Sequence, residues 1–339
     1  MNDLDFWTIR LEELCGRLRR VVTGSLEAAR AAGDHEALAR PVSIGAGDVT
    51  FGLDLPSEEV CSAWLAEVAA KRPLSLLTED AGWLHMGPAG NTATRLADFD
   101  HGGPRIALDP IDGTRNLMLD LRSAWTVVSF AGPGAGMPSL SDVTIGMVSE
   151  LPNLRTASYR SLGASRGGGC HMTERTMRDD QVLREGPLQT DSDNRCDHGY
   201  FPFFRYDREQ APRITAIECE FHRLLREHEG ADTHHCYDDQ YISNAGQLTL
   251  LMSGAYRCIT DLRAFVANEH GKPATTSKPY DSAGAILCAR EAGAIIEAAD
   301  GSELDYPLDT TTPVSFVGWV NAATRARLRP HLNAALRSR

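Results

Sequence analysis

The stretch LDPIDGTRN, at residues 108–116, constrains the fold of this chain more than any other part of its sequence. An apolar run precedes it, which predicts a buried strand that ends at Asp109 and Asp112. Burying two neighbouring carboxylates costs free energy unless a cation or hydrogen bonds compensate for their charge. A divalent metal is the simplest compensation, although the same residues also suit a turn that binds no metal. If a metal is bound, the rest of the chain must supply further ligands.

The residues around the two aspartates favour a phosphate beside such a metal. Pro110 fixes the backbone between them, so that both side chains can turn toward one pocket with the Ile111 carbonyl beside them. Gly113 lets a phosphate approach the backbone, and the N–H groups of Gly113 and Thr114 are expected to bind it at a helix start. Oxygen ligands of this kind suit Mg²⁺, Mn²⁺ or Ca²⁺ rather than zinc.

Two further acids occupy similar positions in the sequence. Glu79 ends the predicted strand LSLLTE, and Asp281 opens the predicted helix DSAGAILCAREAGA. An aspartate at a helix start is also a common N-cap, so that Asp281 taken alone has a purely structural interpretation. The metal hypothesis therefore depends on the combination of these two acids with the pair in LDPIDGTRN.

Helices and strands are mixed along the whole chain. Helical spacing of apolar residues predicts helices over residues 4–31 and 56–71, and the Gly-, Pro- and Asn-rich residues 84–104 are predicted to form a loop. This mixture favours an α/β sandwich. Further predictions are a turn or short extended piece at 47–54; strands at 74–79, 104–110, 125–132, 142–150 and 154–161, the last three antiparallel; an irregular region at 161–240; a buried helix that ends at Gly254; a helix from Tyr280 followed by a strand; a strand at 313–321; and a closing helix over 322–336.

Composition limits the partners and the compartment. The 339 residues carry a formal net charge of −12, which argues against nucleic acid as a partner because phosphate backbones require basic surfaces. No stretch approaches the roughly 20 apolar residues of a membrane span, and the N-terminus lacks the basic start and apolar core of a secretory signal. The eight cysteines are scattered without a CxxC pair, as in reduced proteins. The sequence therefore predicts a cytoplasmic protein with no membrane or nucleic-acid partner.

Four segments resemble, in the same order, the inositol monophosphatase family of the lithium-sensitive, magnesium-dependent phosphatases, which include fructose bisphosphatase. DPIDGT at 109–114 matches the family signature at each defining position, and YDSAGAILCAREAGA at 280–294 is similar to its second signature, usually Trp-Asp, small residues and Glu-Ala-Gly. TED at 78–80 stands where Gly-Glu-Glu is usual, and GDVTFGLD at 47–54 is similar to Asp-x-Val-Thr-x-x-Asp. Together the four segments extend the resemblance over most of the chain.

The resemblance implies which residues hold the metals. Glu79, Asp109 and the Ile111 carbonyl would hold the first ion, and Asp109, Asp112 and Asp281 would hold the second. It also implies two or three Mg²⁺ ions per site, with Mn²⁺ as a substitute, and inhibition by lithium. These ions would compensate for the repulsion between the carboxylates, and they would therefore explain how Asp109 and Asp112 can be buried side by side.

The resemblance also implies the chemistry. Thr114, oriented by Asp54, would help Glu79 and the first metal to activate a water molecule that attacks phosphorus in line, and the second metal would stabilise the leaving oxygen. The expected function is therefore the Mg²⁺-dependent hydrolysis of a phosphate monoester of a small polyol or sugar.

The fold that the resemblance implies is a layered α/β/α/β/α sandwich. Residues 1–172 would form an N-terminal α+β domain with an antiparallel sheet and most of the metal ligands. Residues 173–339 would form a C-terminal α/β domain with a more mixed sheet, which supplies Asp281 and the inserts of the substrate pocket. Relatives form homodimers, so that a dimer is expected.

Some residues depart from the family pattern. Tyr280 replaces the usual Trp, Thr78 replaces the usual Gly, and Leu117 stands where an aromatic residue is common; none of these changes removes a ligand. The segments 84–104, 161–240 and 261–280 are longer than in compact members and are expected near the substrate entrance. The expected substrate contacts are Asp112, Gly113, Thr114, Ser243, Asn244 and Asp261.

Other interpretations stay open at this point. The Cys- and His-rich residues 219–236 allow a zinc site, although their spacing fits no standard module and an exposed helix and loop explains them more simply. Arginines between residues 160 and 208 suit either a second phosphate or a solvated face. The alternative functions are a phosphatase for a nucleotide or sugar bisphosphate, and a non-catalytic relative that binds a phosphate ligand.

Overall fold

The computed structural model describes residues 3–44, 49–271 and 274–338 of the chain. Among these residues the helices are α1 (Asp3–Ala32), α2 (His35–Ala39), α3 (Leu55–Ala69), α4 (Thr114–Met118), α5 (Ala211–Glu229), α6 (Asn244–Met252), α7 (Arg263–His270), α8 (Pro279–Glu291) and α9 (Ala322–Arg337). None of the helices in these three ranges is long and apolar enough to cross a membrane.

The strands form one large sheet and two small ones. Their bounds are β1 (Pro41–Ile44), β2 (Val49–Phe51), β3 (Leu74–Thr78), β4 (Gly82–Ala89), β5 (Thr92–Arg95), β6 (Arg105–Asp112), β7 (Ala124–Ala131), β8 (Val143–Leu151), β9 (Ser158–Ser165), β10 (Gly169–Thr176), β11 (Val182–Leu188), β12 (Cys258–Asp261), β13 (Ile295–Ala298) and β14 (Phe316–Trp319). The nine-stranded sheet has the order β11-β10-β9-β8-β7-β6-β3-β4-β5, the three-stranded sheet has the order β12-β14-β13, and β1 pairs with β2.

The first face of the large sheet is covered by α1 and α3. The buried side chains of Leu11, Leu14 and Leu18 recur at helical spacing along α1 and pack with Trp64 of α3. The side chains of β6 alternate between the two faces, as in any strand, so that Ile106 and Leu108 join this apolar layer. Ala107 and Asp109 consequently lie on the opposite face.

The second face of the large sheet is covered by α6 and α8, and α8 approaches the strands closely because it is rich in small residues. A side chain at Gly284 of α8 would place its first carbon 2.1 Å from the Val128 carbonyl oxygen of β7. A side chain at Gly146 of β8 would meet the Gly284 carbonyl oxygen at 2.2 Å. This contact fixes the start of α8, which contains Asp281, beside the end of β6.

The small sheet and two further helices complete the layers. Phe316 of β14 packs toward α6 and α8, whereas the next residue, Val317, packs with buried residues of α5 and α9. The order of layers is therefore α1 and α3, the large sheet, α6 and α8, the small sheet, and α5 with α9. This confirms the predicted α/β/α/β/α sandwich.

Several detailed predictions were wrong. Residues 84–104 contain the hairpin β4–β5 rather than a loop alone; its two-residue connection Gly90-Asn91, with Gly90 at φ 65°, is a hairpin sequence that the glycine- and proline-rich composition obscured. Within the described residues, the large sheet has one parallel pair, β3–β6, whereas the small C-terminal sheet is antiparallel throughout. The sequence therefore misassigned which sheet is mixed.

Residues 161–240 contain more regular structure than expected, and the predicted domain boundary falls within a strand. Residues 161–240 contain β10, β11 and α5, and neither β12 nor α7 was predicted. The predicted boundary at residue 172 lies inside β10, which pairs with both β9 and β11. The N-terminal sheet thus continues to Leu188. In the predicted extended piece at 47–54, Val49 begins β2, and residues 47 and 48 lie outside the described ranges.

Candidate active site

The end of β6 brings two carboxylates to one place because its pairing with β7 is irregular there. The register shifts between Asp109 and Asp112, where Pro110 lacks the N–H that a regular ladder requires. Thr126 of β7 donates a hydrogen bond through Oγ1 to the Pro110 carbonyl at 2.9 Å, which stabilises the distorted strand. Both aspartates are 7% exposed and line a cavity of about 360 Å³.

Five carboxylates from separate parts of the chain line this cavity. Asp54 precedes α3, Glu79 follows β3, Asp109 and Asp112 end β6, and Asp281 lies in the first turn of α8. Among the described residues that line it, the only cationic side chain belongs to Arg115. The structure therefore brings together the four acids that the sequence proposed as metal ligands, with Asp54 and Thr114 beside them.

The acids in this cavity favour protonation or a bound cation. Burial raises the pKa of Asp109 well above its ordinary value, and the carboxylate of Asp112 raises it further. Burial raises the pKa of Asp112 to about 6, although hydrogen bonds from Ala245 and Ser243 oppose this shift. Burial and the charge of Asp112 also raise the pKa of Asp281. A hard divalent cation would stabilise the ionised form of each carboxylate and so oppose these pKa shifts. The donor set therefore fits Mg²⁺ or Mn²⁺ in charge and in ligand type.

The carboxylates also have hydrogen-bond partners of their own. Lys278 donates its backbone N–H to both carboxylate oxygens of Asp281, at 3.1 and 3.0 Å, as in a capped helix. Asp281 therefore acts as a cap and also lines the cavity, so that the two interpretations of this residue are compatible. In the three described ranges, no group of three or more His, Cys, Asp or Glu side chains is placed so that it could hold a metal ion.

Asp112 connects the large sheet to α6. Its Oδ2 accepts hydrogen bonds from Ser243 Oγ and from the backbone nitrogen of Ala245, both at 2.7 Å, and its Oδ1 accepts one from the backbone nitrogen of Asn244 at 3.2 Å. The backbone N–H groups of Asn244 and Ala245 are among the unpaired donors at the start of a helix, where a carboxylate is favourable. Ser243 and Asn244 thus line the cavity and orient an acid in it.

Thr114 and Asp54 form a pair beside the acidic cluster. Thr114 Oγ1 lies 2.9 Å from Asp54 Oδ1 and 3.0 Å from the Ile111 carbonyl oxygen. The second carboxylate oxygen of Asp54 accepts a hydrogen bond from the Phe51 nitrogen at 2.8 Å, which fixes its orientation. Gly113 has φ 99°, which favours glycine, and a side chain there would meet the Ile242 carbonyl oxygen at 2.9 Å. The turn therefore requires the glycine of the DPIDGT motif.

Asp261 does not line the cavity. It is fully buried and forms an ion pair with Arg263, in which the Oδ2 atom lies 2.6 Å from the Arg263 Nη2 atom. Its carboxylate also accepts a hydrogen bond from Ser277 Oγ at 2.7 Å. With its oxygens committed to these partners, the direct substrate contact expected of Asp261 has no support in the geometry.

Sequence reasoning missed several residues of the cavity wall. They are Arg115, Tyr206, Gln247, Thr275, Thr276 and Ser277. Only the hydroxyl-rich sequence at 275–277, directly before the second signature, gave a signal that could have identified some of them. Of the three long segments, 161–240 contributes Tyr206 and 261–280 contributes residues 275–277 and Tyr280, whereas no described residue of 84–104 reaches the cavity.

The Cys- and His-rich residues 219–236 and the arginines between residues 160 and 208 lie outside this cavity. Cys219, His222 and Cys236 line a separate surface pocket, and among the described residues there no three such side chains are placed to hold a metal ion. Arg205, one of these arginines, forms ion pairs with Glu218 and Asp238, as expected of a solvated face on which arginines neutralise nearby acids.

No protein-family model and no curated protein matches this sequence. Solved structures do match. A hypothetical protein from Pyrococcus horikoshii, with similarities for inositol-1 monophosphatase, is 15% identical with a TM-score of 0.62, and the match covers 99% of this chain and 98% of that one. Leishmania major fructose-1,6-bisphosphatase, in holo form, is 12% identical over 97% of this chain and 95% of that one, with a TM-score of 0.67. Inositol monophosphatase from Anabaena is 16% identical with a TM-score of 0.59, and the match covers 99% of this chain and 96% of that one.

Proposed function

We propose that this chain, which has the fold of the inositol monophosphatases and fructose bisphosphatases, is a divalent-metal-dependent phosphatase. Its substrate would be the phosphate monoester of a small polyol or sugar. The observation that carries the proposal is the convergence of five carboxylates on one cavity, in which burial and mutual repulsion raise the pKa of Asp109 and Asp281 well above their ordinary values. A fold alone does not define an activity, so that the proposal rests on these residues.

The residues divide into two ligand sets. Glu79, Asp109 and the Ile111 carbonyl would hold one Mg²⁺ ion, and Asp109, Asp112 and Asp281 would hold a second. Bound ions of this kind supply positive charge that polarises phosphate oxygens, lowers the pKa of water and offsets charge on the leaving oxygen.

Thr114 would orient the attacking water. Its hydroxyl proton is directed to Asp54 or to the Ile111 carbonyl, so that the lone pairs of Oγ1 are left to accept a hydrogen bond from water. Glu79 lines the same cavity and would receive the proton that water loses. The hydrogen bond from Phe51 keeps Asp54, and through it Thr114, in one orientation.

One feature supports hydrolysis over binding alone, and a second favours a monoester over a bisphosphate. The two ligand sets and the Thr114–Asp54 pair are all present, whereas a binding-only relative would need no water-orienting pair. The cavity has one described cationic side chain, Arg115, which gives little support to a second phosphate on the substrate. The bisphosphate phosphatase therefore stays the second candidate. A cytoplasmic location, lithium inhibition and a homodimer stay predictions.

The test uses the purified full chain, stripped of metal and assayed with and without added Mg²⁺ or Mn²⁺. The substrate panel comprises inositol phosphates, sugar mono- and bisphosphates, histidinol phosphate, adenosine bisphosphates and phenyl phosphate. We expect turnover of at least one monoester with metal, little in chelator, and inhibition by lithium. Phosphatase activity that is undiminished in chelator, with no metal bound, would overturn the proposed mechanism. A metal-loaded chain that cleaves nothing in the panel would overturn the proposed function.

A further inference from the structure

A second cavity, here called the α1 cavity, lies between α1 and the strands β8, β9 and β10 of the large sheet. Glu12, Cys15 and Arg19, which recur at helical spacing, form its α1 wall. It shares no described lining residue with the candidate active site. Its volume of about 290 Å³ is near the lower end of the roughly 300–1,000 Å³ that is typical of small-molecule sites.

Arg19 brings a half-buried positive charge to this cavity with no carboxylate beside it. Its Nη1 atom donates a hydrogen bond to Ser149 Oγ at 2.8 Å, and within the described residues its side chain makes no other hydrogen bond and no ion pair. Its Cζ atom lies 3.5 Å from the centre of the Tyr159 ring. The N–H groups of a guanidinium lie in its plane, so that a ring stacked on one face leaves them able to bind a ligand.

Strand pairing places two hydroxyl groups on the opposite wall of the cavity. Ser149 of β8 is paired with Ser161 of β9, which is paired in turn with Thr173 of β10. Directly paired residues project to the same face of a sheet, and the hydrogen bond with Arg19 shows that Ser149 projects toward α1. Ser161 and Thr173 therefore also face α1. Within the described residues neither of their hydroxyls has a hydrogen-bond partner.

Two further side chains of β10 extend this wall. His171 and Arg175 are each two residues from Thr173, so that they project to the same face. Arg175 donates through Nη1 to the Asp180 carbonyl at 3.0 Å, and the Tyr159 hydroxyl donates to Asp180 Oδ1 at 2.8 Å. These contacts hold Arg175 and the Tyr159 ring in place. They also commit the Tyr159 hydroxyl, which is therefore not a donor for a ligand.

The charge balance of the α1 cavity favours an anion. Among its described lining residues the arginines are Arg19 and Arg175, and the only acid is Glu12, which is exposed. Burial lowers the pKa of Arg19, which means that its charge is unfavourable there without a counterion. The whole chain carries a net charge of −12, so that this group of cations departs from the average charge of the protein.

The number of donors selects a phosphate over a carboxylate. Arg19 and the hydroxyls of Ser161 and Thr173 offer N–H and O–H donors across three strands, a distance of about 10 Å. A carboxylate has two oxygens that accept hydrogen bonds, whereas a phosphate monoester has three and carries more charge. Cys15 and Met147 of the apolar layer also line the cavity and can contact an organic group attached to the phosphate.

We propose that the α1 cavity binds a small organic phosphate, with its phosphate group between Arg19 and the hydroxyls of Ser161 and Thr173. This site does not depend on the proposed phosphatase function, because it lies on the face of the large sheet opposite to Asp109. The acids proposed as metal ligands line only the candidate active site, so that the ligand of the α1 cavity is bound and not hydrolysed.

The test is phosphate binding by the full chain, stripped of metal and kept in chelator. Without metal, the five carboxylates of the candidate active site repel phosphate, so that binding reports on the α1 cavity. The probes are inorganic phosphate, phenylphosphonate, which has no ester bond to hydrolyse, and acetate. Isothermal titration at low ionic strength should show saturable binding of both phosphorus probes, and binding of acetate that is at least about tenfold weaker.

Two variants and a matched control assign the binding to this cavity. Arg19→Gln should weaken phosphate binding by about 10- to 100-fold, the value of one hydrogen bond to a charged group. Thr173→Val keeps the shape of the side chain, removes a hydroxyl from the opposite wall and should weaken binding by about tenfold. Arg20→Gln removes the same charge from an exposed position of α1 outside the cavity, and binding should stay within about threefold of wild type.

Denaturant titration of each variant confirms that only folded proteins are compared, and Thr173→Val decides the question if Arg19→Gln does not fold. Binding of wild-type strength in the folded cavity variants, an equal loss in Arg20→Gln, or no saturable binding of either phosphorus probe to the wild-type chain would overturn the site. Acetate that binds as tightly as phosphate would overturn the choice of ligand. A chain that binds the probes without metal but hydrolyses no monoester with Mg²⁺ would retain this site and lose the proposed phosphatase function.

Discussion

Asp112 Oδ2 lies 2.7 Å from the backbone nitrogen of Ala245, so that a carboxylate at the end of β6 caps the start of α6. The contact joins residues that are far apart in the sequence and belong to different layers of the sandwich. It also gives Asp112 a role in folding in addition to the role in metal binding that the sequence indicates. The two roles lead to different expectations for substitutions at Asp109 and Asp112.

Asp112→Asn should lower both turnover and metal-free stability. From sequence alone, relief of repulsion between Asp109 and Asp112 predicts that metal-free stability holds or rises. The structure changes this expectation, because an amide nitrogen cannot accept the hydrogen bonds from Ser243, Asn244 and Ala245 that two carboxylate oxygens now accept. We expect a loss of about 1–3 kcal/mol in the metal-free unfolding free energy, measured by denaturant titration. An unchanged midpoint would show that the cap contributes little.

Asp109→Asn should separate catalysis from folding. Asp109 accepts one described hydrogen bond, from the Ile111 nitrogen at 2.9 Å, and an amide oxygen can accept the same bond. Burial and the neighbouring carboxylates raise the pKa of Asp109, which means that its ionised form is unfavourable in the folded chain. Because the substitution removes this charge, metal-free stability should hold or rise at pH 7. Turnover should fall by about 10²-fold or more. A variant that unfolds more easily yet turns over normally would contradict the assignment of Asp109 as a metal ligand.

The hydroxyl of Thr114 should be necessary for turnover, whereas its methyl group should not. Thr114→Val keeps the shape of the side chain but removes the hydrogen bonds to Asp54 and to the Ile111 carbonyl, and we expect kcat to fall by about 10²-fold. Thr114→Ser, the matched variant, should retain most of the wild-type kcat. Steady-state kinetics with one monoester measures both. Equal losses in the two variants would indicate that the position serves packing rather than water orientation.

His222 should make the fold less stable as the pH falls below about 6.5. Burial, together with the charge of Arg226, lowers the pKa of His222 to about 4. Between these values the unfolded chain binds a proton that the folded chain does not, so that stability falls with pH by at most about 1.4 kcal/mol per pH unit. In His222→Leu this dependence should be weaker. Denaturant titrations at several pH values measure it, with His234→Gln, at an exposed position, as the control. Identical pH dependence in His222→Leu and wild type would contradict the prediction.

The sequence predicted the parts of the molecule that local patterns encode. The long apolar stripe of α1, the small residues of α8 and the turn after Asp112 each constrain their own segment, whereas the order of the five layers came from the family resemblance. The hairpin at 82–95 was missed because β5 is the edge strand of the sheet and the half-exposed residues of both strands show little alternation.

The cavity wall could not be predicted in the same way. Thr276 belongs to the wall because the buried Arg263 binds the residues on either side of it, and Gln247 of α6 is held there by the Tyr241 carbonyl. No hydrophobic periodicity in the sequence predicts these contacts. Similarly, Asp261 ends the buried strand β12 and resembles a substrate ligand in sequence. Only its ion pair with Arg263 places it behind the wall.

Direct metal binding tests the central claim without requiring knowledge of the substrate. Isothermal titration of Mg²⁺ and Mn²⁺ into the metal-stripped full chain, beside Asp109→Asn, compares a complete donor set with one that lacks the carboxylate common to both proposed ligand sets. Saturable binding by the wild-type chain at pH 7 that is strongly weakened in Asp109→Asn is the predicted result. Binding of equal strength in the two proteins, or none in the wild-type chain, would contradict the assignment of this cavity as a metal centre.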